Sequence, residues 1–350
     1  MEAKVEDCLS AVSLFDTDAA VKECKRIGCG HINATFLCVT DKGKFTLQKM
    51  DVAIFRSVDK LMDNISAVTA HVAKKGGKTI APVKAKDGKK FVEYNGGTYR
   101  LMTYVDGEIK ERITDPSDME TVGKGFGKFQ EYLRDFDGVL YDTIPDFHNT
   151  PKRYADFIKT ASVPSERRKR AKNLIERYAG YKKLCDVVEK PLRKGEIPYR
   201  VTHNDTKINN LVIGNDGALT VIDLDTVMKG SLLYDFGDAI RSGGTTRPED
   251  SPEIGEVKAD PEFYEAFSKG FLTNNLEVTD KERSLLPMSA FLYTYECGMR
   301  FLTDYLNNDV YFGAKYPEHN LVRAENQLVL AEDVLRKLDL FTRITDGFFR

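Results

Sequence analysis

The string His203-Asn204-Asp205-Thr206-Lys207-Ile208-Asn209-Asn210, followed by Val221-Ile222-Asp223-Leu224-Asp225, holds the side-chain types that phosphoryl transfer requires. A carboxylate must orient an attacking hydroxyl and accept its proton, and oxygen ligands must hold magnesium against phosphates. Asp205 is the candidate for the first task, Asn210 and Asp223 for the second. His203 reads as a structural residue that holds the loop. An HxDx4N string also arises by chance, with the aspartate capping a turn and the histidine bonded in a core. The downstream spacing therefore has to separate the two readings.

Two apolar runs, Leu211-Val212-Ile213 and Leu219 to Ile222, flank Asn215-Asp216-Gly217-Ala218. An Asp-Gly pair between such runs is a strong signal for a two-residue hairpin turn. With Asp216 and Gly217 as the turn, Ile213 faces Thr220 and Asn210 faces Asp223. Facing residues have Cα atoms roughly 4.5 to 5.5 Å apart, so the spacing predicts an amide oxygen and a carboxylate able to share one cation.

Asp235-Phe236-Gly237 spells the metal-binding tripeptide of protein kinases but lies well beyond Asn210, outside the hairpin. Asp235 is expected instead to accept backbone hydrogen bonds that brace the catalytic loop. No Ala-Pro-Glu segment follows Asp223, which separates the pattern from protein kinases. Earlier, Gly28-Cys29-Gly30-His31-Ile32-Asn33 stands between two expected strands. Glycines at Gly28 and Gly30 let a backbone approach phosphates, although a Gly-x-Gly turn is also an ordinary hairpin. Cys29 carries no reactivity that sequence can establish. The run Arg100 to Val105 is an apolar strand end entering a polar turn, and Met102 and Tyr104 are candidates for holding adenine through backbone and apolar groups.

These residues need a scaffold. Val21 to Ile27, Thr35 to Thr40 and Lys44 to Met50 are β-rich runs separated by turn signals, a small antiparallel sheet. Phe55 to Lys74 carries apolar residues at helical period, and a β-meander runs on through turns at Asp87-Gly88 and Asn95-Gly96-Gly97 to Thr98–Val105. Beyond Pro116 the patterning is helical: Met119 to Phe136, Lys152 to Ala161, Glu166 to Glu189, Asp260 to Thr273, Lys281 to Leu306 and Leu321 to Leu338, with one β-rich island at 211–228. This gives an α+β, two-lobed protein-kinase-like chain, with a β-rich nucleotide-binding lobe over 1–104 and a mainly helical catalytic and substrate-binding lobe over 105–350.

The 350 residues are 41% hydrophobic, enough for a sizeable core, and 52 basic against 54 acidic residues leave a net charge of −2. No global field draws the chain to nucleic acid or a membrane. The cluster Arg167 to Arg170 with Lys172, at helical spacing, reads as a solvated face. No apolar run reaches membrane-spanning length, and Met1 to Phe15 alternates charged and apolar groups unlike a signal peptide. Six cysteines without CxxC spacing fit reduced thiols and a cytoplasmic location. No protein partner can be inferred.

The chain resembles the aminoglycoside-phosphotransferase-like superfamily and, within it, the bacterial N-acetylhexosamine 1-kinases. The likeness spans nearly the whole chain. It rests on Gly30-His31-Ile32-Asn33, Arg200 to Lys207, Ile222 to Thr226, Tyr234 to Asp238, Glu296 to Leu302 and Lys315 to Arg323. It implies transfer from ATP, with magnesium, to the anomeric hydroxyl of N-acetylglucosamine or N-acetylgalactosamine. Asp205 is then the base, Asn210 and Asp223 bind magnesium, and His31, Asp205, Arg300 and Tyr311 contact the sugar. Glu296 and Arg300 also stand one helical turn apart, a spacing that serves equally for a pair stabilising the helix. One departure is plain. Where kinases place a strand lysine for the inner phosphates, this chain has Gln48, with Lys49 on the opposite face of the strand. Homoserine, choline, aminoglycosides or other sugars are the alternative acceptors, and a nucleotide-binding regulator without turnover is the alternative from another class.

Overall fold

The computed structural model describes residues 5–28, 33–55 and 57–350. In chain order the elements are α1 (Val5–Val12), β1 (Val21–Arg26), β2 (Ala34–Thr40), β3 (Lys44–Met50), α2 (Val58–Lys74), β4 (Pro82–Val83), β5 (Val92–Tyr94), β6 (Gly97–Thr103), β7 (Gly107–Ile109), α3 (Pro116–Leu133), α4 (Thr150–Ala161), α5 (Glu166–Arg170), α6 (Lys172–Gly180) and α7 (Glu189–Arg193). They continue as β8 (Arg200–Thr202), β9 (Leu211–Gly214), β10 (Leu219–Val221), β11 (Met228–Gly230), α8 (Leu232–Gly243), α9 (Pro261–Leu272), α10 (Asp280–Leu306), α11 (His319–Arg336) and α12 (Leu338–Gly347). The fold is mixed α+β and kinase-like. Two compact units share the chain: Met1–Glu108 with Asp135–Pro145 and Val212–Met228, and Ile109–Arg134 with Asp146–Leu211 and Lys229–Arg350. No helix among the described residues is long and apolar enough to cross a membrane.

The first unit is built on an antiparallel sheet in the order β1-β2-β3-β6-β4, with β5 also on β6. Strict alternation along β2 sends Phe36 and Cys38 into a core with Leu47, Tyr99 and Leu101. Cys8, Ala11, Val12 and Phe15 close that core from α1 and the turn after it. Their three- and four-residue spacing marks an amphipathic helix that a reading confined to charge alternation passes over. The second helix begins at Val58, because the Ser57 side chain accepts the Lys60 amide and ends the extended run. Asn64 on α2 explains why two later segments belong to this unit. Its Nδ2 donates to the carbonyls of Tyr141 and Val227, and its Oδ1 accepts the Tyr141 amide.

In the second unit Asp115 caps α3 and Pro116 opens it, so the helix starts before the expected Met119. The single helix expected over Glu166 to Glu189 is instead α5, α6, a 3-10 turn at Lys182–Leu184 and the start of α7. The basic cluster causes the first break. Arg167 donates to the Tyr305 carbonyl and to Asp309, Arg168 to the Ala161 carbonyl, and Arg170 pairs with Glu318. These arginines are tied to this unit's own framework, with Arg167 stacked on Tyr305. Helix α8 is absent from the expected elements; its polar residues Asp235, Asp238 and Arg241 recur at helical spacing, but they are buried with the rest of it. Past Arg336 the chain breaks at Lys337 and starts α12.

Helices α3 and α9 meet at glycines. A Cβ on Gly270 would lie 2.1 Å from the Glu120 carbonyl oxygen, and one on Gly123 would lie 2.4 Å from that of Phe267. Backbone closes on backbone there, so no rotamer can relieve the clash. Gly270→Ala is expected to lower stability by about 1–3 kcal/mol through overpacking; an unchanged urea midpoint would contradict this close approach.

Candidate functional site

In the second unit, β8 delivers His203, Asn204 and Asp205 into a loop whose backbone is fixed by a neighbouring carboxylate. Ser231 caps α8 by accepting the Leu233 amide, which places Asp235 in the helix's first turn. Asp235 Oδ2 accepts the His203 amide at 2.9 Å and Oδ1 the Asn204 amide at 2.8 Å. Gln130 of α3 donates to the same Oδ2 at 2.6 Å and to the Val201 carbonyl, and Thr206 Oγ1 donates to the Asp235 carbonyl. Burial lifts the Asp235 carboxyl above the ordinary aspartate range even against these donors. Asn204 sits at φ 65°, a left-handed conformation that asparagine tolerates. It turns two successive amides toward one carboxylate. His203 lies edge-on to Phe126 and Phe129, and its Nδ1 accepts the Asp205 amide.

Asp205 is half-buried, with Lys207 Nζ 3.1 Å from Oδ1. Burial raises the Asp205 carboxyl, but Lys207, His203 and Arg241 together outweigh it and hold the pKa below the usual value. The Lys207 ammonium is raised in turn, first by Asp205. Asn210 Nδ2 donates to the Asp205 carbonyl at 2.8 Å, which leaves Oδ1 as the accepting atom of its amide. An amide oxygen is a hard donor of the kind magnesium takes.

The acceptor candidates stand on and beside α10. Glu296 does not pair with Arg300. It is 1% exposed and bonds to His148 and Thr150, so the helix-stabilising pair that the spacing allowed does not form. Arg300 lies instead over the rings of Phe147, Tyr311 and Phe312 at 5.2, 5.7 and 5.3 Å. Its Nη2 is 3.5 Å from the Tyr311 hydroxyl. One turn on, Asp304 accepts the amides of Tyr311 and Phe312 and fixes that aromatic loop. Arg153 of α4 donates twice to the Phe147 carbonyl. Burial lowers its pKa, and the neighbouring Arg300 lowers it further. Burial opposes the Arg300 charge as well, but Tyr311, Cys297, Glu296 and Asp205 together raise its pKa. Among the described residues neither guanidinium is in an ion pair.

In the first unit Gln48 is committed to its neighbours. Across the β3–β6 ladder it faces Arg100, whose Nε donates to Gln48 Oε1 at 2.8 Å, while Gln48 Nε2 donates to Thr35. Arg100 Nη1 lies 2.5 Å from Asp225 Oδ1, and Asn33 donates to Asp225 Oδ2 at 2.8 Å. The cation at this place in the sheet is therefore an arginine on β6. Sequence reading missed it by treating Arg100 as the start of a hinge; a charged residue inside the apolar run Tyr99 to Met102 was the available signal. Lys207, His148 and Arg153 were passed over too. Met102 is buried on β6, and Tyr104 lies beneath Lys44 Nζ. Gly28, at φ 69°, ends the described part of the glycine turn, and Gly30 and His31 lie outside the described residues.

The hairpin differs from expectation by one residue. Gly214 donates to the Ala218 carbonyl and Gly217, at φ 77°, to the Gly214 carbonyl. This is a three-residue loop with a left-handed glycine bulge. With Gly214 opposite Ala218, Ile213 falls opposite Leu219 and not the expected Thr220. Asp223 itself is exposed and left-handed, at φ 57° and ψ 56°, and heads the 3-10 turn Leu224–Thr226.

Comparison with known proteins assigns the family. Residues 23–281, well over half the chain, match the model of the phosphotransferase enzyme family. The chain belongs to that family. Solved structures similar to this phosphotransferase include an aminoglycoside phosphotransferase from Alicyclobacillus acidocaldarius, at 13% identity and TM-score 0.66, covering 99% of this chain and 98% of that one. A spectinomycin phosphotransferase in complex with ADP and spectinomycin aligns at 13% identity and TM-score 0.60, over 97% and 99% of the two chains. A choline/ethanolamine kinase family protein from Mesorhizobium loti aligns at 14% identity and TM-score 0.58, over 93% of each. At these identities the structures speak for the shared fold.

Removing Arg100 would leave Asp225 buried without its cation. Arg100→Met is expected to cost about 3–5 kcal/mol, and adding Asp225→Leu to recover a large part of it. Guanidinium denaturation of the single and double variants measures this, and additive losses would show that the pair does not act as one unit.

Proposed function

We propose that this phosphotransferase moves the γ-phosphoryl group of ATP, with magnesium, onto the anomeric hydroxyl of N-acetylglucosamine or N-acetylgalactosamine, giving the sugar 1-phosphate. The observation that carries the reading is the loop in which Asp235 accepts the His203 and Asn204 amides just before Asp205, and Asn210 donates to the Asp205 carbonyl. The acceptor site is assigned to Asp205, Arg300 and Tyr311, to which the resemblance adds His31. Phe147, Tyr311 and Phe312 supply faces for an apolar sugar surface. Two arginines without carboxylate partners also disfavour cationic acceptors such as choline or ethanolamine, the class named for one structural relative. Nucleotide contacts are assigned to Gly28, Gly30, Gln48, Met102 and Tyr104.

In the mechanism Asp205 accepts a hydrogen bond from the acceptor hydroxyl and aims its oxygen at the γ-phosphorus. A depressed pKa makes Asp205 a weak base, so the proton moves late, as the new P–O bond forms and ADP leaves. Lys207 holds the Asp205 carboxylate charged. Asn210 Oδ1 and the Asp223 carboxylate are the oxygen donors assigned to magnesium, which when bound neutralises charge on the β- and γ-phosphates. His203 and Asp235 support the loop.

A second reading keeps the transfer and changes the acceptor to an amino-acid alcohol such as homoserine, whose carboxylate suits a pair of arginines. Steady-state kinetics over hexoses, N-acetylhexosamines, homoserine and choline, with product analysis for phosphate on the anomeric carbon, decide between them. Activity on homoserine with silence on amino sugars would replace the first reading. Asp205→Asn is expected to lower kcat by about 10²–10⁴-fold while sparing acceptor binding, and wild-type turnover would remove Asp205 from its role.

The pH dependence has a defined sign. The Asp205 carboxylate is the active form, and with its pKa depressed the activity is lost only as pH falls below the ordinary aspartate value of about 3.9. Lys207→Met removes the main cation and should move that acid limb to higher pH. An unmoved limb would show that Lys207 does not set the Asp205 charge.

A further inference from the structure

Within the second unit His148 stands between two acceptors. Its Nδ1 is 2.8 Å from Glu296 Oε1 and its Nε2 is 2.8 Å from the carbonyl oxygen of Asn204. A backbone carbonyl and an ionised carboxylate only accept hydrogen bonds, so both contacts are attractive only when both ring nitrogens carry protons. A neutral ring would set a lone pair against one of them. Glu296 is suited to hold this charge: Thr150 Oγ1 donates to its other oxygen. Burial pushes the Glu296 carboxyl up, but His148 and Thr150 more than offset that and leave it below the usual range.

The surroundings of the ring favour its proton on balance. Burial opposes the charged ring, but Glu296 of α10 and Asp238 of α8 outweigh it, and His148 lies above the ordinary histidine value. The rings of Phe147, Tyr234 of α8 and Tyr293 of α10 pack around it at 4.8, 5.1 and 5.0 Å. The Tyr234 hydroxyl donates to Glu189 of α7, whose carboxyl burial lifts above the ordinary glutamate value, with Tyr234 and His148 opposing. Arg153 of α4 shares the field of Glu296 from the other side.

We propose that His148 is a positioning residue of the phosphoryl-transfer site: as an imidazolium it ties Glu296, one helical turn before Arg300, to the carbonyl of Asn204, the residue immediately preceding Asp205. Asn204 is held at its amide by Asp235 and at its carbonyl by His148, so both faces of that left-handed residue are fixed. The same imidazolium thereby links the helix that carries the acceptor arginine to the loop that carries the catalytic carboxylate. The inference rests on the assignment of Asp205 as that carboxylate.

The link is present while the ring is protonated, below the ordinary value of about 6.5, and persists up to the raised value in the folded protein. It is lost as pH rises through that value. The wild-type enzyme should therefore lose kcat on an alkaline limb while KM for the acceptor changes little. His148→Gln keeps a donor for one acceptor but cannot titrate; kcat should fall by between about 10- and 100-fold through misplacement of the loop, and the limb should vanish. Glu296→Gln keeps the hydrogen-bonding shape and removes the charge, so the limb should move to lower pH. Kinetics use whichever acceptor the panel identifies. Independently of turnover, ¹⁵N-resolved NMR of the imidazole rings, assigned by the signal missing in His148→Gln, should show both His148 nitrogens protonated at pH 7. A neutral tautomer at that pH, or a limb unmoved in Glu296→Gln, overturns the proposal. Failure of the Asp205 reading would appear instead as unchanged turnover in Asp205→Asn, with the ring still doubly protonated. Should His148→Gln not fold, Glu296→Gln supplies the limb and the ring signal that shifts in it supplies the assignment.

Discussion

The loop proposed to carry the catalytic carboxylate depends on a second carboxylate, Asp235, that never needs to meet a substrate. Asp235 is buried, where an ionised group without donors would cost several kcal/mol, and two of its donors are the consecutive amides of His203 and Asn204. Consecutive amides reach one acceptor only when the chain turns sharply between them, and the positive φ of Asn204 is that turn. The same bond network therefore fixes the loop's direction as it leaves β8 and the point at which Asp205 emerges. Gln130, Thr206 and the His203 ring packed on Phe126 and Phe129 bind this arrangement to α3 and α8. Precision at Asp205 is bought by rigidity in residues on either side of it.

Much of this was legible in residue order because the signals are local. The antiparallel strands Lys44–Met50 and Thr35–Thr40 follow from alternation between turn signals, and α2 from apolar spacing between Val58 and Val72. Local signals failed where the environment sets the structure. Helix α8 carries a polar stripe of Asp235, Asp238 and Arg241, but these residues are buried and bonded inside the unit, so the stripe does not mark a solvent face. The stretch from Glu166 has helical composition throughout, yet three of its arginines are drawn to partners on other elements and the helix breaks among them. At Asp216-Gly217 the pair marks a turn, but its dihedral choice is made between two- and three-residue loops, and a left-handed Gly217 after Asp216 shifts the ladder by one residue.

Pairings across long stretches of chain were the other hidden layer. Arg100 and Asp225 look unrelated in sequence, and His148 and Glu296 equally so. Each pair is buried, and each satisfies a charge that could not otherwise stay there. Gln48 shows the same effect from the opposite direction. Judged by its strand position it replaces a lysine; with Arg100 as its ladder partner, it orients a cation supplied by the adjacent strand.

Charge pairing also distinguishes framework from site. Arg100, Arg200 and Arg241 each meet a carboxylate within 3 Å and are spent on structure. Arg153 and Arg300 are partly buried and, among the described residues, meet none; a carbonyl and aromatic faces lie against them. Cation–π contact contributes on the order of 0.5–2 kcal/mol, less than a desolvated guanidinium loses, so such a pair persists best where a ligand supplies the missing acceptors. Of the two carboxylates one turn from Arg300 on its own helix, Asp304 is taken by the amides of Tyr311 and Phe312, and Glu296 is already held by His148. By holding Glu296, the histidine that fixes the loop also leaves the arginine free of a protein anion, which makes the bracing of Asp205 and the availability of Arg300 consequences of the same buried ion pair.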